Sequence, residues 1–318
     1  MQKIEISKDD IILSVSSIKD LQSCWRKYFF RNVELIAPWH TPSPLQVGDA
    51  FHRGLQGFYE GRDKKEILRD VREYYKAQEQ EYDDEAFVQQ CNINSMVTRS
   101  MLIGYMFKYQ PEEFEGIKPE AEFCICIHDE PGLRVWIVGK RDGLYKKDGK
   151  WWLLENKTFS DNDFERYKKK LKLDIQSTLY ILASEIELQE TIHGVFYNCA
   201  RKPLIKQRES ENDKDFYDRL KLDYVNRSDD FYFKRLWIYR SEDDKQELFR
   251  EILEIARDLR RKREDQTWYR NTNSCVSYGT CPYLGICTDR PNKDEIGLAF
   301  KKVKRFPELE LQVLEKEE

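Results

Sequence analysis

GKRDGLYKKDGKWWLLENKTF, residues Gly139–Phe159, decides how the chain is read. Lys147-Asp148-Gly149-Lys150 separates two apolar runs, and Asp-Gly is the preferred centre of a two-residue type I′ turn because both residues tolerate positive φ. With Asp148 and Gly149 at the tip, Lys147 faces Lys150 and the register carries Asp142 opposite Glu155. A four-residue loop from Lys147 to Lys150 keeps that register; a three-residue loop with a bulge does not. Directly opposed residues have Cβ atoms ~4.5–5.5 Å apart, so two carboxylates there repel. Lys157, two residues beyond Glu155, points to the same face. A divalent cation between the acids reverses the repulsion, and hard oxygen ligands suit Mg²⁺ or Mn²⁺. Such an ion polarises a phosphate and activates water, leaving Lys157 to orient the nucleophile or stabilise developing charge. The competing reading is an exposed ion-pair patch on a surface hairpin. The run Trp151–Leu154 argues against it, because consecutive apolar residues imply burial on both faces.

Outward from this hairpin, AEFCICIHD (Ala121–Asp129) alternates with the period of a strand, LRVWIVGKRDGLY (Leu133–Tyr145) reads as a second strand and KWWLLENKTF (Lys150–Phe159) as a third. Short links between them predict an antiparallel meander. DFERYKKKLKLDIQSTLYILASEI (Asp163–Ile186) reads as one long helix crossing over to a strand, IHGVFYNCA (Ile192–Ala200). DFYFKRLWIYR (Asp230–Arg240) is a further strand and EDDKQELFREILEIARDLRRK (Glu242–Lys262) a helix. Upstream, SVSSIKDLQSCWRKYFFRNV (Ser14–Val33) reads as a single helix capped by Ser16 or Ser17, with Asp20 near its positive end. Leu45–Gly61, Lys64–Tyr82 and Asn92–Tyr109 carry three more helical patterns. The expected class is mixed α/β: a helical part over 1–111, a core over 112–240 and a C-terminal helix with cysteines over 241–318, in one integrated domain. APWHTPSP (Ala37–Pro44) reads as a loop, the charged segment Arg201–Asp230 as a loop or insertion, and the acidic PELELQVLEKEE (Pro307–Glu318) as a frayed tail or an added helix.

At 318 residues and 40% hydrophobic, the chain can bury a substantial core. No apolar run approaches the ~18 residues of a membrane span, and MQKIEISKDD lacks the apolar stretch of a signal peptide; a cytoplasmic location is expected. The net charge of −4 argues against a nonspecific nucleic-acid coat but leaves room for a local basic groove. Local clusters lie at Arg166–Lys172, Arg201–Arg208 and Arg261–Glu264, and each taken alone reads as a solvated face.

GKRDGL followed by LLENKTF resembles motifs II and III of the PD-(D/E)XK nuclease superfamily, and the helix–three-strand–helix–strand order (αβββαβ) is similar to that superfamily's core. GDAFHRGL (Gly48–Leu55) resembles the Gly-x-x-x-His element of its RecB-like branch. QSTLY (Gln176–Tyr180) matches that branch's Q-x-x-x-Y element, with Gln176 and Tyr180 on one helix face. Alone, His52 would be an ordinary helix histidine and Gln176 an ordinary surface amide. The resemblance implies that Asp142, Glu155 and Lys157 are catalytic, that Asp142 and Glu155 hold the metal with His52 and the Asn156 carbonyl as further ligands, and that Gln176 and Tyr180 line the substrate side. Lys140, Arg141 and the Arg166–Lys172 cluster are expected phosphate contacts.

Eight cysteines in a chain of this kind point to metal or cofactor binding rather than disulfides. Cys275, Cys281 and Cys287 are spaced C-x5-C-x5-C; with Cys24 they resemble the [4Fe–4S] ligands of AddB-type and CRISPR-associated RecB-like exonucleases. The family spacing is C-x2-C-x5-C, so Cys275 departs from it. Soft thiolates suit iron–sulfur or zinc, and a cluster there would close a loop of about 250 residues. Cys91, Cys124, Cys126 and Cys199 read as small buried hydrophobes. The implied activity is a Mg²⁺- or Mn²⁺-dependent exonuclease on DNA ends, single-stranded ends in particular, in recombination, repair or CRISPR-type processing, with a protein partner from one of those systems. Two alternatives are an end-binding or adaptor subunit with the nuclease fold, and a structural zinc protein without chemistry.

Overall fold

The computed structural model describes residues 4–7, 9–39, 43–80, 84–110, 119–161, 163–277, 279–306, 309 and 313–315. The expected boundary at Pro111, the centre of the APWHTPSP loop and most of the acidic tail lie outside them. In chain order the elements are β1 (Ile4–Ile6), β2 (Ile11–Leu13), α1 (Val15–Ser23), α2 (Trp25–Tyr28), β3 (Ile36–Pro38), α3 (Ser43–Tyr59), α4 (Lys64–Gln80), α5 (Glu85–Lys108), β4 (Ala121–Glu130), β5 (Leu133–Arg141), β6 (Gly143–Lys147) and β7 (Lys150–Phe159). Then follow α6 (Phe164–Lys172), α7 (Ile175–Leu188), β8 (Ile192–Arg201), α8 (Asp213–Asn226), β9 (Phe233–Tyr239), α9 (Glu242–Asp265), α10 (Leu284–Asp289), α11 (Lys293–Ala299), β10 (Phe300–Lys302) and β11 (Val313–Glu315). The fold is mixed α/β. No helix among the described residues is long and apolar enough to cross a membrane.

The turn that sets the register is type I′ in character: Asp148 has φ 52° and Gly149 φ 71°. Lys147 faces Lys150 and Gly143 faces Leu154, the register anticipated from Asp-Gly. The second expected strand does not run through, however. It breaks at Asp142 into β5 and β6, which belong to different sheets. One sheet has the order β2-β5-β4, the other β6-β7-β8-β9. A single meander is therefore replaced by a strand that changes sheets in mid-course. The ladder ends at Gly143, so Asp142 lies in the bend and not in the pairing. β7 and β8 are parallel from Leu153 to Phe159, with α6 and α7 as their crossover.

Three other expectations change. The first helix is two: Cys24 is extended (φ −166°, ψ 120°) between α1 and α2, and Ser14, not Ser16 or Ser17, caps α1 in a reciprocal pair with Ser17. The long crossover helix also breaks, because the Asp174 side chain caps a new start at Gln176. The charged segment after Arg201 contains α8, whose Phe216, Leu220 and Tyr224 are buried against the α3–α5 layer. Two large cores result. One lies between the β-sheets, α1, α7 and α9; the other joins α3, α4, α5 and α8. The open edge of β7 beyond Leu154 lies where both meet.

Candidate active site

Three elements converge on that edge. α3 approaches β7 so closely that a Cβ on Gly48 would lie 3.4 Å from the Thr158 hydroxyl; one turn later it presents His52. The bend after β5 presents Asp142. The start of α7 presents Asp174 and Gln176 from the opposite side.

Asp142 is held from two directions. Its Oδ2 accepts the Asn156 backbone N–H at 2.6 Å, and its Oδ1 lies 3.2 Å from His52 Nδ1. Glu155 is fully buried. Its Oε1 accepts from Lys157 Nζ and Gln176 Nε2, each at 2.7 Å, and Lys157 also donates to Gln176 Oε1 at 2.8 Å. Glu155 Oε2 is buried with no partner, an arrangement that costs free energy unless something satisfies it.

Two acids at this site escaped the sequence reading. Ligand atoms of His52, Glu120 and Asp142 all lie within 4.8 Å of one another, a grouping suited to a metal ion. Glu120 precedes β4, outside any motif; the pairing of Ala121 with Arg141 and the Glu120 N–H donating to the Asp142 carbonyl at 3.3 Å bring it in. Asp174 lies 3.5 Å from Lys157 Nζ. The signal for Asp174 was present: an Asp immediately before a helical pattern is an N-cap.

The electrostatics follow from burial of so many charges together. Burial, with the Asp142 charge adding and Lys157 opposing, pushes Glu155 up to about 7. Burial opposes charge on Asp142, yet His52, the Asn156 amide and Lys157 hold it below the usual carboxylate range. Burial likewise opposes a charged His52, but Asp142, then Glu155 and Glu120, raise it to about 9. Lys157 is held well above its ordinary value by Glu155 and Asp174 in spite of burial. Burial and Asp142 raise Glu120.

Other expected site residues are placed differently. Arg141 is 1% exposed; its guanidinium bonds Ser184 Oγ at 2.8 Å and pairs with Glu187 at 2.5 Å, over the Phe123 ring. It is a core residue, not a phosphate contact, because the side chain at the end of β5 faces α7. Lys140 pairs with Glu120 at 2.8 Å, so its charge is spent on a site carboxylate. Tyr180 is buried edge-on against Phe123, in the core and not on the substrate side. Asn156 is buried, its Oδ1 accepting from Asn198 Nδ2 at 3.1 Å. Along α6, Arg166 pairs with Asp161, while Lys169, Lys170 and Lys172 are exposed.

The cysteines form a second cluster. Extended Cys24 turns its thiol to the C-terminal segment, where Sγ accepts the Asn271 N–H at 3.3 Å. Asn271 Nδ2 and Ser274 Oγ each bond the Ser23 carbonyl at 2.9 Å. Cys24, Cys275 and Cys281 line one cavity of about 170 Å³, and Cys281 and Cys287 pack together against Phe30 and Tyr283. No disulfide joins them. Cys91 and Cys199 are buried; Cys124 and Cys126 are half-buried on β4.

Among known proteins, the family model described as the PD-(D/E)XK nuclease superfamily matches residues 12–288. A crystal structure from Eubacterium rectale, of a protein assigned provisionally as an exonuclease, is similar at 14% identity over 89% of each chain, with a TM-score of 0.45. No curated protein matches the chain.

Proposed function

The chain belongs to the PD-(D/E)XK nuclease superfamily, and from that membership we propose that it is a divalent-metal-dependent exonuclease that hydrolyses phosphodiester bonds at DNA ends. The observation that carries the reading is the pairing of an orphaned, buried Glu155 oxygen with the His52–Glu120–Asp142 group beside it. Hard oxygens and one imidazole fit Mg²⁺ or Mn²⁺. Asp142 and Glu155 would hold the ion, with His52, Glu120 and the Asn156 carbonyl as further ligands. A cation there supplies Lewis-acid polarisation of the phosphate and lowers the pKa of water.

The chain's own residues supply the rest. Lys157 stays protonated, because Glu155 and Asp174 favour its charge. It therefore acts as a hydrogen-bond donor that orients the attacking oxygen or stabilises charge on phosphate, and not as a base. Gln176 fixes both Lys157 and Glu155, so the ammonium is preorganised. The Asn156 amide fixes Asp142. The exposed lysines of α6 are the nearest unspent cations in sequence to this helix start, and they support a backbone path over α6 toward the site.

The four thiols at the junction of the chain ends fit a soft metal centre, and we assign them to a [4Fe–4S] cluster held by Cys24, Cys275, Cys281 and Cys287. Its role is structural: it ties the segment around Cys24 to the C-terminal part. Single-stranded ends and a role in recombination, repair or CRISPR-type processing complete the reading.

End-labelled single- and double-stranded DNA, incubated with Mg²⁺ or Mn²⁺ beside Lys157→Ala, tests it. Stepwise shortening from an end that disappears in the variant is expected. Activity that survives Lys157→Ala unchanged overturns the mechanism, and strand binding with no cleavage by the wild type favours an end-binding subunit instead.

A further inference from the structure

A separate cavity of about 390 Å³ opens beside Cys287. Buried Phe30 and Ile286 form its apolar floor, and Phe30 is held rigid by stacking on Tyr283 at 5.5 Å. Arg26, Arg270 and Arg290 line it too. These arginines come from α2, from the segment after α9 and from the end of α10. Folding brings them together: the Arg26 N–H donates to the Tyr269 carbonyl at 3.1 Å, and Arg270 Nη1 reaches the Cys287 carbonyl at 3.4 Å.

Many arginines among the described residues are neutralised by a carboxylate, as in Arg134–Asp129, Arg166–Asp161 and Arg219–Glu211. Among the described residues no carboxylate pairs with Arg26, Arg270 or Arg290, and Arg26 Nε is buried without a partner. Three guanidiniums facing one cavity repel each other, and an anion relieves that repulsion. Planar donors around an apolar floor match a group that is both anionic and flat. The volume lies within the ~300–1,000 Å³ of small-ligand sites.

We propose that this cavity binds one nucleotide unit of a single-stranded polynucleotide, with a phosphate between the arginines and an unpaired base against Phe30 and Ile286. The proposal rests on the nuclease reading and deepens it. None of the lining residues belongs to the catalytic cluster, so the strand is gripped at the cysteine clasp while it is cut at β7. A duplex cannot offer an unstacked base, so the site selects single strands.

The test is binding without cleavage, in Ca²⁺, by fluorescence anisotropy. Thymidine monophosphate, trithymidylate and long oligothymidylate are compared on the wild type and on Arg270→Glu/Arg290→Glu, whose exposed side chains can change without unfolding the chain. Arg26, next to Cys24, is left intact. The wild type is expected to bind the long strand more tightly than the short one. The variant is expected to forfeit about tenfold or more of that gain, with the salt slope reduced by about 0.7 for each phosphate it no longer neutralises. An unchanged length dependence in a variant of unchanged melting temperature overturns the proposal while leaving the nuclease reading intact. Loss of thymidine monophosphate binding alone, with the long strand unaffected, also overturns it and marks a free-nucleotide site. A wild type that binds neither oligonucleotide overturns the nuclease reading itself.

Discussion

Lys157 donates to Gln176 Oε1 at 2.8 Å while both side chains donate to the same oxygen of Glu155 at 2.7 Å. The three groups form a closed ring. Gln176 is therefore placed to position the ammonium, which donates both to its amide oxygen and to Glu155. Gln176→Ala is expected to lower kcat by roughly tenfold to a hundredfold with a smaller change in KM, because misplacing a reacting group by about 1 Å costs on that order. Steady-state cleavage kinetics check it, and a change confined to KM would place Gln176 on the substrate instead.

Glu120 groups with His52 and Asp142 in an arrangement that could hold a metal ion, although no motif contains it. Glu120→Gln is expected to weaken Mn²⁺ binding by about tenfold to a hundredfold, the range seen when groups supporting a metal site are removed. Isothermal titration with Mn²⁺ reads this directly. Unaltered affinity would leave Glu120 as merely the partner of Lys140.

Metal-free protein is expected to lose stability as pH rises from about 5 to about 9. Glu155 is raised to about 7 and His52 to about 9. Each binds its proton more tightly folded than unfolded, so its contribution is full below the unfolded pKa and lost as pH climbs through the folded one. Melting temperatures in chelator across this range provide the check, with Mg²⁺ or Mn²⁺ flattening the decline. Glu155→Gln should remove the part of the slope between about 4.5 and about 7; an unaltered slope would show that Glu155 is not the group responsible.

Arg141→Ala is expected to destabilise the fold by about 2 kcal/mol or more, since it strips partners from Ser184 and Glu187 and leaves a void over Phe123. Its effect on strand binding should be no larger than that of the accompanying stability loss. Chemical denaturation and anisotropy on the same preparation separate the two, and a selective loss of binding would restore the phosphate role.

Cys24→Ser, purified without oxygen, is expected to lose the visible absorbance, iron and acid-labile sulfide of the parent. Stoichiometric zinc and no colour in the parent would turn the cluster assignment into a zinc one.

Local chemistry was legible in the sequence. Asp-Gly fixed the I′ turn and hence the Lys147–Lys150 register, because positive φ at two successive positions is open to few residues. Periods of 2 and 3.6 marked β4, β7, β8, α3 and α9. The spacing of Glu155 and Lys157 put both on one face of a strand, and that face is where they meet. These features depend on a residue and its neighbours along the chain. Tertiary structure decided what they could not. The break at Asp142 sends one strand into two sheets; an alternating pattern reads the same whether or not the strand changes partners. Arg141 is buried and Glu120 is recruited because of which layer each element packs against, and a side chain's own type does not encode that. Asp174 enters the site because α6 and α7 part just ahead of it, and Cys24 reaches the distant thiols because α1 stops one residue before it. Convergence of groups far apart in sequence is set by burial of the cores on either side of β7, and only the folded chain brings them within a few ångströms.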